Sequence, residues 1–277
     1  MRRNPAPPRR TAPISRCGRR HGISCRQWGA AWLLVATAIP CSLVADVEDA
    51  QSLAQGGIPA LDRLHRVPGS VLPPHHAVQC GSVWPFAGSG LVTHVAALQS
   101  VGQSWGFALA VAQTQSDIHA ETDATLVLQS GRTTWRAGAA ATLRRTHFAR
   151  HPTWAELHLQ LGFGARLHTR VRLACTSAGI LQRDVLPRVG LTLGVKLEER
   201  LEATLLLERE PSLPTRMCAG LAWGVGGGLG FLCGHDLLTG GSSAGLVAGP
   251  PSWKVTYATA SHPELGWSHA WMLEYRR

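Results

Sequence analysis

Lysine is almost missing from this chain: Lys196 and Lys254 are the only two in 277 residues. A soluble β-sandwich turns one face of each sheet to water and normally covers it with lysines and glutamates, so the scarcity counts against that architecture. Charge of any sign is sparse as well, at 16% of residues against 45% apolar. That balance excludes a disordered or coiled-coil chain and leaves a large apolar surface to bury or to hide in lipid. No Cys-x-x-Cys spacing occurs, and Cys17, Cys25 and Cys41 precede the main body, leaving Cys80, Cys175, Cys218 and Cys233. These four read as packing residues rather than metal ligands, and no metal or cofactor is expected.

Acids are absent from residues 1–27, which carry eight arginines (Arg2, Arg3, Arg9, Arg10, Arg16, Arg19, Arg20 and Arg26), and residues 28–45 carry no charge at all. A cationic start followed by an apolar run, Trp28 to Ala45, has the order of an export signal, and Pro40 inside the run suits a cleaved segment better than a permanent span. Subtracting those eight arginines from 27 basic residues leaves 19 against 17 acids, so the body is nearly neutral at +2. The formal net charge of +10 therefore does not describe a nucleic-acid-binding face, and nucleic acid is not an expected partner. Three regions follow: a signal or targeting segment over 1–45, an irregular Pro-rich leader over 46–83 that is periplasmic or lumenal, and a β-rich body over 84–277. The leader holds Pro59, Pro68, Pro73 and Pro74 and has room for one short helix near residues 59–66.

After Trp84 the pattern alternates with period two to the end of the chain, with no helix-period segment of useful length. Over 188–197, Val189, Leu191, Leu193, Val195 and Leu197 oppose Arg188, Gly190, Thr192, Gly194 and Lys196; over 155–164, Ala155, Leu157, Leu159, Leu161 and Phe163 oppose Glu156, His158, Gln160, Gly162 and Gly164. Similar segments fall at 167–176, 200–209, 252–260 and 268–276, with weaker copies at 91–99, 104–113, 120–129, 133–144, 214–223, 228–234 and 243–248. About thirteen strands result, and closure in pairs sets the range at twelve to fourteen. The second face is rich in Gly, Ala, Ser and Thr, which suits a narrow lumen. The expected fold is all-β: a closed antiparallel transmembrane β-barrel behind an N-terminal signal segment, located in the outer membrane, with the lipid bilayer as its first partner. A secreted or surface-exposed β-sandwich, or a partner-docking barrel without transport, is the rival reading.

In this arrangement Arg170, Arg172, Glu156, His158, Lys196 and Lys254 are candidate lumen-lining residues. Arg144-Arg145 and Arg170/Arg172 are either solvated cations or an anion-attracting constriction. Ten tryptophans are present; Trp105, Trp154, Trp223, Trp253 and Trp271, with Tyr257 and Tyr275, are candidate members of an interfacial aromatic girdle.

Leu186 to Gly190 with Leu191, then Leu207-Glu208-Arg209-Glu210-Pro211, then Pro214 to Leu221, and above all Trp253 to His269 (WKVTYATASHPELGWSH), resemble the PorV/PorQ-like outer-membrane β-barrels, themselves distantly similar to fatty-acid-transporter barrels. The resemblance covers the last third of the chain and implies a structural or transport-like role, passage of a small or hydrophobic ligand, and handling by the outer-membrane assembly machinery. The terminal piece looks like that group's final hairpin, departing from it where Tyr275 is followed by Arg276-Arg277.

Catalytic patterns are weak. Gly241-Ser242-Ser243-Ala244-Gly245 matches G-x-S-x-G, but Gly249-Pro250-Pro251 soon follows where that chemistry needs a helix, and a Gly/Ser hairpin loop is the simpler reading. Gly224 to Gly230 lacks the Gly-Lys-Ser/Thr ending of a phosphate loop and reads as a tight turn. His262, Glu264 and His269 read as loop residues rather than metal ligands. The chain is expected not to be an enzyme; the alternative is a membrane-embedded lipid hydrolase or acyltransferase using Ser243 and His269.

Overall fold

The computed structural model describes Gln51, Leu53, Gln55 and residues 66–86, 88–179, 187–211 and 213–277. The expected signal segment and nearly all of the expected short helix lie outside these residues. Fourteen strands follow in order: β1 (His75–Trp84), β2 (Val92–Val101), β3 (Trp105–Gln115), β4 (His119–Gly131), β5 (Trp135–Phe148), β6 (Trp154–His168) and β7 (Val171–Ala178). After these come β8 (Arg188–Glu198), β9 (Leu201–Arg209), β10 (Arg216–Gly226), β11 (Leu229–Asp236), β12 (Ser242–Ala248), β13 (Trp253–His262) and β14 (Gly266–Arg276). Each pairs with its sequence neighbours, and β1 pairs antiparallel with β14 from Ala77↔Arg276 to Trp84↔His269, so the sheet is a closed barrel with no free edge. The two-layer sandwich is thereby overturned.

The first strand begins inside the stretch expected to be an irregular leader. Two prolines immediately before it and a mixed outer face (Val78, Cys80, Ser82, Trp84) mask its alternation, and pairing with both β2 and β14 forms it nonetheless. The Gly-Ser string expected to be a hairpin loop likewise lies largely within β12, paired with β11 and β13.

Alternation assigns the two faces. In β3, Gly106, Ala108, Ala110, Ala112 and Thr114 are buried while Trp105, Leu109 and Val111 are exposed. An inside that buries small and polar side chains and an outside carrying large apolar ones reverses the order of a soluble protein. It is the order that lipid imposes. Leu98, Leu109, Leu126, Leu128, Leu143, Leu157, Leu161, Phe163 and Val255 are exposed on the outer face, and each of their strands is paired on both sides, as hydrocarbon requires. The chain is an outer-membrane β-barrel.

The two ends differ. One end, holding the start of β1 and the end of β14, has connections of two to four residues, such as 169–170 and 199–200. The other has longer ones, including 85–91 and 210–215. Short turns mark the periplasmic side of such barrels and longer loops the cell exterior. Cys80, Cys175, Cys218 and Cys233 form no disulfide among the described residues; Cys218 is buried inside, and the other three are exposed.

Candidate functional site

The lumen is occupied by the chain's own N-terminal segment. Val67-Pro68-Gly69-Ser70 forms a tight turn in which the Ser70 backbone N–H donates to the Val67 carbonyl at 3.1 Å. Proline at the second position presets its φ, and Gly69 at the third has φ +86°, the combination of a type II turn. The Ser70 hydroxyl donates to the same carbonyl at 2.8 Å.

This turn lies on a strip of wall without side chains: Gly138 of β5 and Gly162 and Gly164 of β6. A Cβ added at Gly162 would overlap the Pro68 carbonyl, one at Gly164 would overlap the Gly69 carbonyl, and one at Gly138 would lie 2.7 Å from the Gly69 nitrogen. Gly69 is constrained in turn, since a Cβ there would meet the Gly162 carbonyl oxygen at 2.7 Å. Two backbones approach this closely only where both lack side chains.

Apolar anchors hold the segment on either side of the turn. Val67 packs on Ala174 of β7, and Leu72 packs among Val101, Ala108, Val127 and Ala140 of β2 to β5. Leu53 is buried among Val83, Leu232, Ala258, Ala270 and Met272, from β1, β11, β13 and β14. At the junction with β1, His75 Nδ1 lies 2.9 Å from the Pro73 carbonyl and its Nε2 lies 2.7 Å from the Gln99 amide nitrogen. Only one tautomer suits both bonds: Nδ1–H donates to the carbonyl and Nε2 accepts from the amide.

Cross-strand charge networks line the inner wall. Towards the long loops, Arg144 grips Asp123 with Nε to Oδ1 at 2.9 Å and Nη2 to Oδ2 at 2.7 Å, and reaches Glu121 at 3.4 Å. Glu156 is the register partner of Arg144 on β6 and lies 3.2 Å from His158. On β8 to β11, Arg188 pairs with Glu208, while Arg216 bridges Glu208 at 3.7 Å and Asp236 at 2.8 Å. Towards the short turns, Arg172 pairs with Glu202, which is also the register partner of Lys196. Lys254 stands opposite Glu274, whose carboxylate accepts from Arg276 Nε at 2.8 Å. Arg136, fully buried, donates to the carbonyls of Gly102, Gln103 and Trp105 and so holds the β2–β3 turn.

Of the candidate lumen residues, Glu156, His158, Arg172, Lys196 and Lys254 stand on inward positions, in two separate groups at the two ends. Arg170 does not: it is exposed in the β6–β7 turn, because β6 runs on to His168 and the hairpin turns only there. The aromatic candidates also divide. Trp105, Trp223, Trp253 and Tyr275 stand outward near the short-turn end, with Trp105 stacked on Phe107 and Trp253 against Tyr275; Trp135, not among the candidates, joins them. Tyr257 and Trp271 face each other at mid-strand. Trp154 lies on the opposite face, since its register partner Thr146 is buried inside. There it stacks on Phe148, which in turn meets His119, an aromatic group at the inner rim of the long-loop mouth.

The residues of the hydrolase alternative do not meet. Ser243 is buried on the inward face of β12, whereas His269 is outward on β14 and engages the Tyr257 hydroxyl at 3.0 Å. His262 is taken up by its own turn, where Nδ1 accepts the backbone N–H of Glu264 and of Leu265, each at 3.2 Å.

Compared as a sequence, the chain matches no protein-family model and no curated protein. As a structure it is similar to the Pseudomonas putida toluene transporter TodX, with a TM-score of 0.55 and 12% identity over 82% of this chain and 97% of that one. It is also similar to the Acinetobacter baumannii outer membrane protein Omp33, with a TM-score of 0.52 and 9% identity over 74% of this chain and 98% of that one. At such identities the likeness is one of fold.

Proposed function

We propose that this barrel is a passage through the outer membrane for a small or hydrophobic solute, closed at rest by its own N-terminal segment. The observation that carries the reading is the fit of Pro68-Gly69-Ser70 onto the bare wall of Gly138, Gly162 and Gly164. Three inward glycines on adjacent strands weaken the barrel wall, and their use here is to seat a removable element. The inward stack of His119, Phe148 and Trp154 at the outer mouth supplies an apolar platform for a solute entering from that side.

The PorV/PorQ-like resemblance of the terminal hairpin and the transporter-like fold agree with this role. In this reading the chain performs no covalent chemistry, the paired charges inside are structural and steering groups, and β14 is the strand presented to the outer-membrane assembly machinery. The aromatic residues of the short-turn rim form the interfacial girdle there. The test is liposome swelling with the folded chain and with a variant whose residues 67–72 are replaced by a Gly-Ser run of equal length. Faster solute entry through the replaced chain is expected; equal rates in both would overturn the passage.

A further inference from the structure

The outward rim at the long-loop end differs from the rest of the described outer surface in its arginines, whereas an outward histidine on a hydroxyl also occurs at the other rim, where His76 Nδ1 lies 2.9 Å from the Ser100 hydroxyl. Arg145 of β5 and Arg209 of β9 are exposed on outward positions, opposite Thr122 and Ala155 in one case and Val189 in the other. Elsewhere on the same rim stand His94 of β2, His235 of β11 and His269 of β14, and His147 of β5 stands two residues from Arg145. These four imidazoles repeat one geometry, each directing Nδ1 at a nearby hydroxyl: Ser82 at 2.8 Å, Thr153 at 3.1 Å, Ser242 at 3.1 Å and Tyr257 at 3.0 Å. That arrangement leaves each Nε2 turned away from its hydroxyl partner.

Among the described residues, no strand carries a carboxylate on the outward side of this rim. Glu121, Asp123, Glu156, Glu202, Glu208, Asp236 and Glu274 all occupy inward positions, and Glu198 ends β8 at the opposite, short-turn edge. Asp117, Glu210 and Glu264 lie in loops beyond the strand ends. The two outward arginines therefore face the membrane without an ion-pair partner among the described residues.

Their depth matches a headgroup layer. From Trp135, in the aromatic rim of the short-turn end, Arg145 is ten residues along the same strand. At about 3.3 Å per residue and a tilt of roughly 40°, that is about 25 Å, the height of the apolar band of such barrels. Both rims carry outward tryptophans, Trp84 and Trp267 at the long-loop end among them, but among the described residues the outward arginines of the strands stand at the long-loop rim alone, as suits a membrane whose outer headgroups are anionic.

We propose that this rim seats lipids bearing phosphate headgroups in the outer leaflet, with Arg145 and Arg209 as guanidinium contacts at separate places around the wall and His147 as a donor flanking Arg145. A planar guanidinium matches two phosphate oxygens at once, which an ammonium does not. The inference is independent of any passage through the lumen. The experiment titrates the folded, full chain in detergent micelles with doubly phosphorylated lipid A and with the same lipid dephosphorylated, counting bound lipid by native mass spectrometry. Tighter retention of the phosphorylated form is expected. An R145Q/R209Q variant, its folding checked by heat-modifiable migration, is expected to hold that form about fivefold more weakly at each of the two positions, one cation being removed from each, while R145K/R209K keeps most of the retention. Equal retention of the two lipids by the unaltered chain, a comparison that needs no variant to fold, or unchanged retention by R145Q/R209Q would overturn the proposal.

Discussion

Pro68 and Gly162 meet backbone to backbone inside the barrel, with no space for even one methyl group between them. A Gly162→Ala substitution forces the turn off its seat, at the about 1–3 kcal/mol typical of overpacking. Such a penalty shifts the seated-to-released balance about 5–150-fold. Planar-bilayer recordings are expected to show more frequent opening than the unaltered chain, with heat-modifiable migration unchanged. Channel activity identical to the parent would show that the turn does not control the lumen.

The facing of β6 is testable at its centre. Leu161 is exposed outward and paired with Ala139, whereas Gln160 is inward beside Ala140. Leu161→Arg is expected to cost about 2–4 kcal/mol, as cations do at the bilayer midplane, while Gln160→Arg costs far less. Urea unfolding in lipid bilayers separates the two, and equal costs would contradict the assignment of faces.

Within the wall, Arg144 is the hub and Asp123 one of its spokes. Asp123→Asn weakens charged hydrogen bonds, at about 1.5–3 kcal/mol, but leaves Glu121 on the same guanidinium. Arg144→Gln leaves Glu121 and Asp123 without their cation, in a half-buried setting, and is expected to be the more destabilising of the two. Unfolding midpoints in the reverse order would show that the network is held by another group.

Much of this was legible in the sequence because alternation is a local property. The strands from β2 to β14 and the upper end of the range of strand numbers follow from it. What was illegible depends on register. Arg172 pairs with Glu202 and Arg188 with Glu208 across hairpins whose exact offsets no single strand reveals. Trp154 was misplaced because the expected strand began at residue 155 and left the tryptophan beyond its end; once β6 starts at Trp154, the alternation of Glu156 and His158 puts it inward, and Thr146 across the ladder agrees. Trp135 escaped notice because the outward positions after it are Ala137, Ala139 and Ala141, too small to announce a lipid face. The glycine seat was hidden because Gly162 and Gly164 look like ordinary small inward residues until Pro68 and Gly69 are placed against them.

Single-tryptophan variants distinguish the two aromatic groups by their surroundings. Trp135, Trp223 and Trp253, outward at the short-turn end, are expected to be quenched by brominated lipids and shielded from aqueous iodide. Trp154, inward at the mouth, is expected to show the opposite pattern. Lipid quenching of Trp154 equal to that of Trp253 would return it to the girdle.

The segregation of carboxylates to the inner wall has a consequence for how the protein sits among its neighbours. Divalent metal ions cross-link anionic lipids by recruiting oxygen ligands, and an acidic collar on a protein would join those exchangeable bridges. On the proposed seating of phosphate headgroups, this collar meets the surrounding leaflet through guanidinium and imidazole groups fixed to the sheet, a contact that needs no magnesium or calcium. Chelators that loosen the leaflet elsewhere are expected to leave the first ring of lipid around this barrel in place.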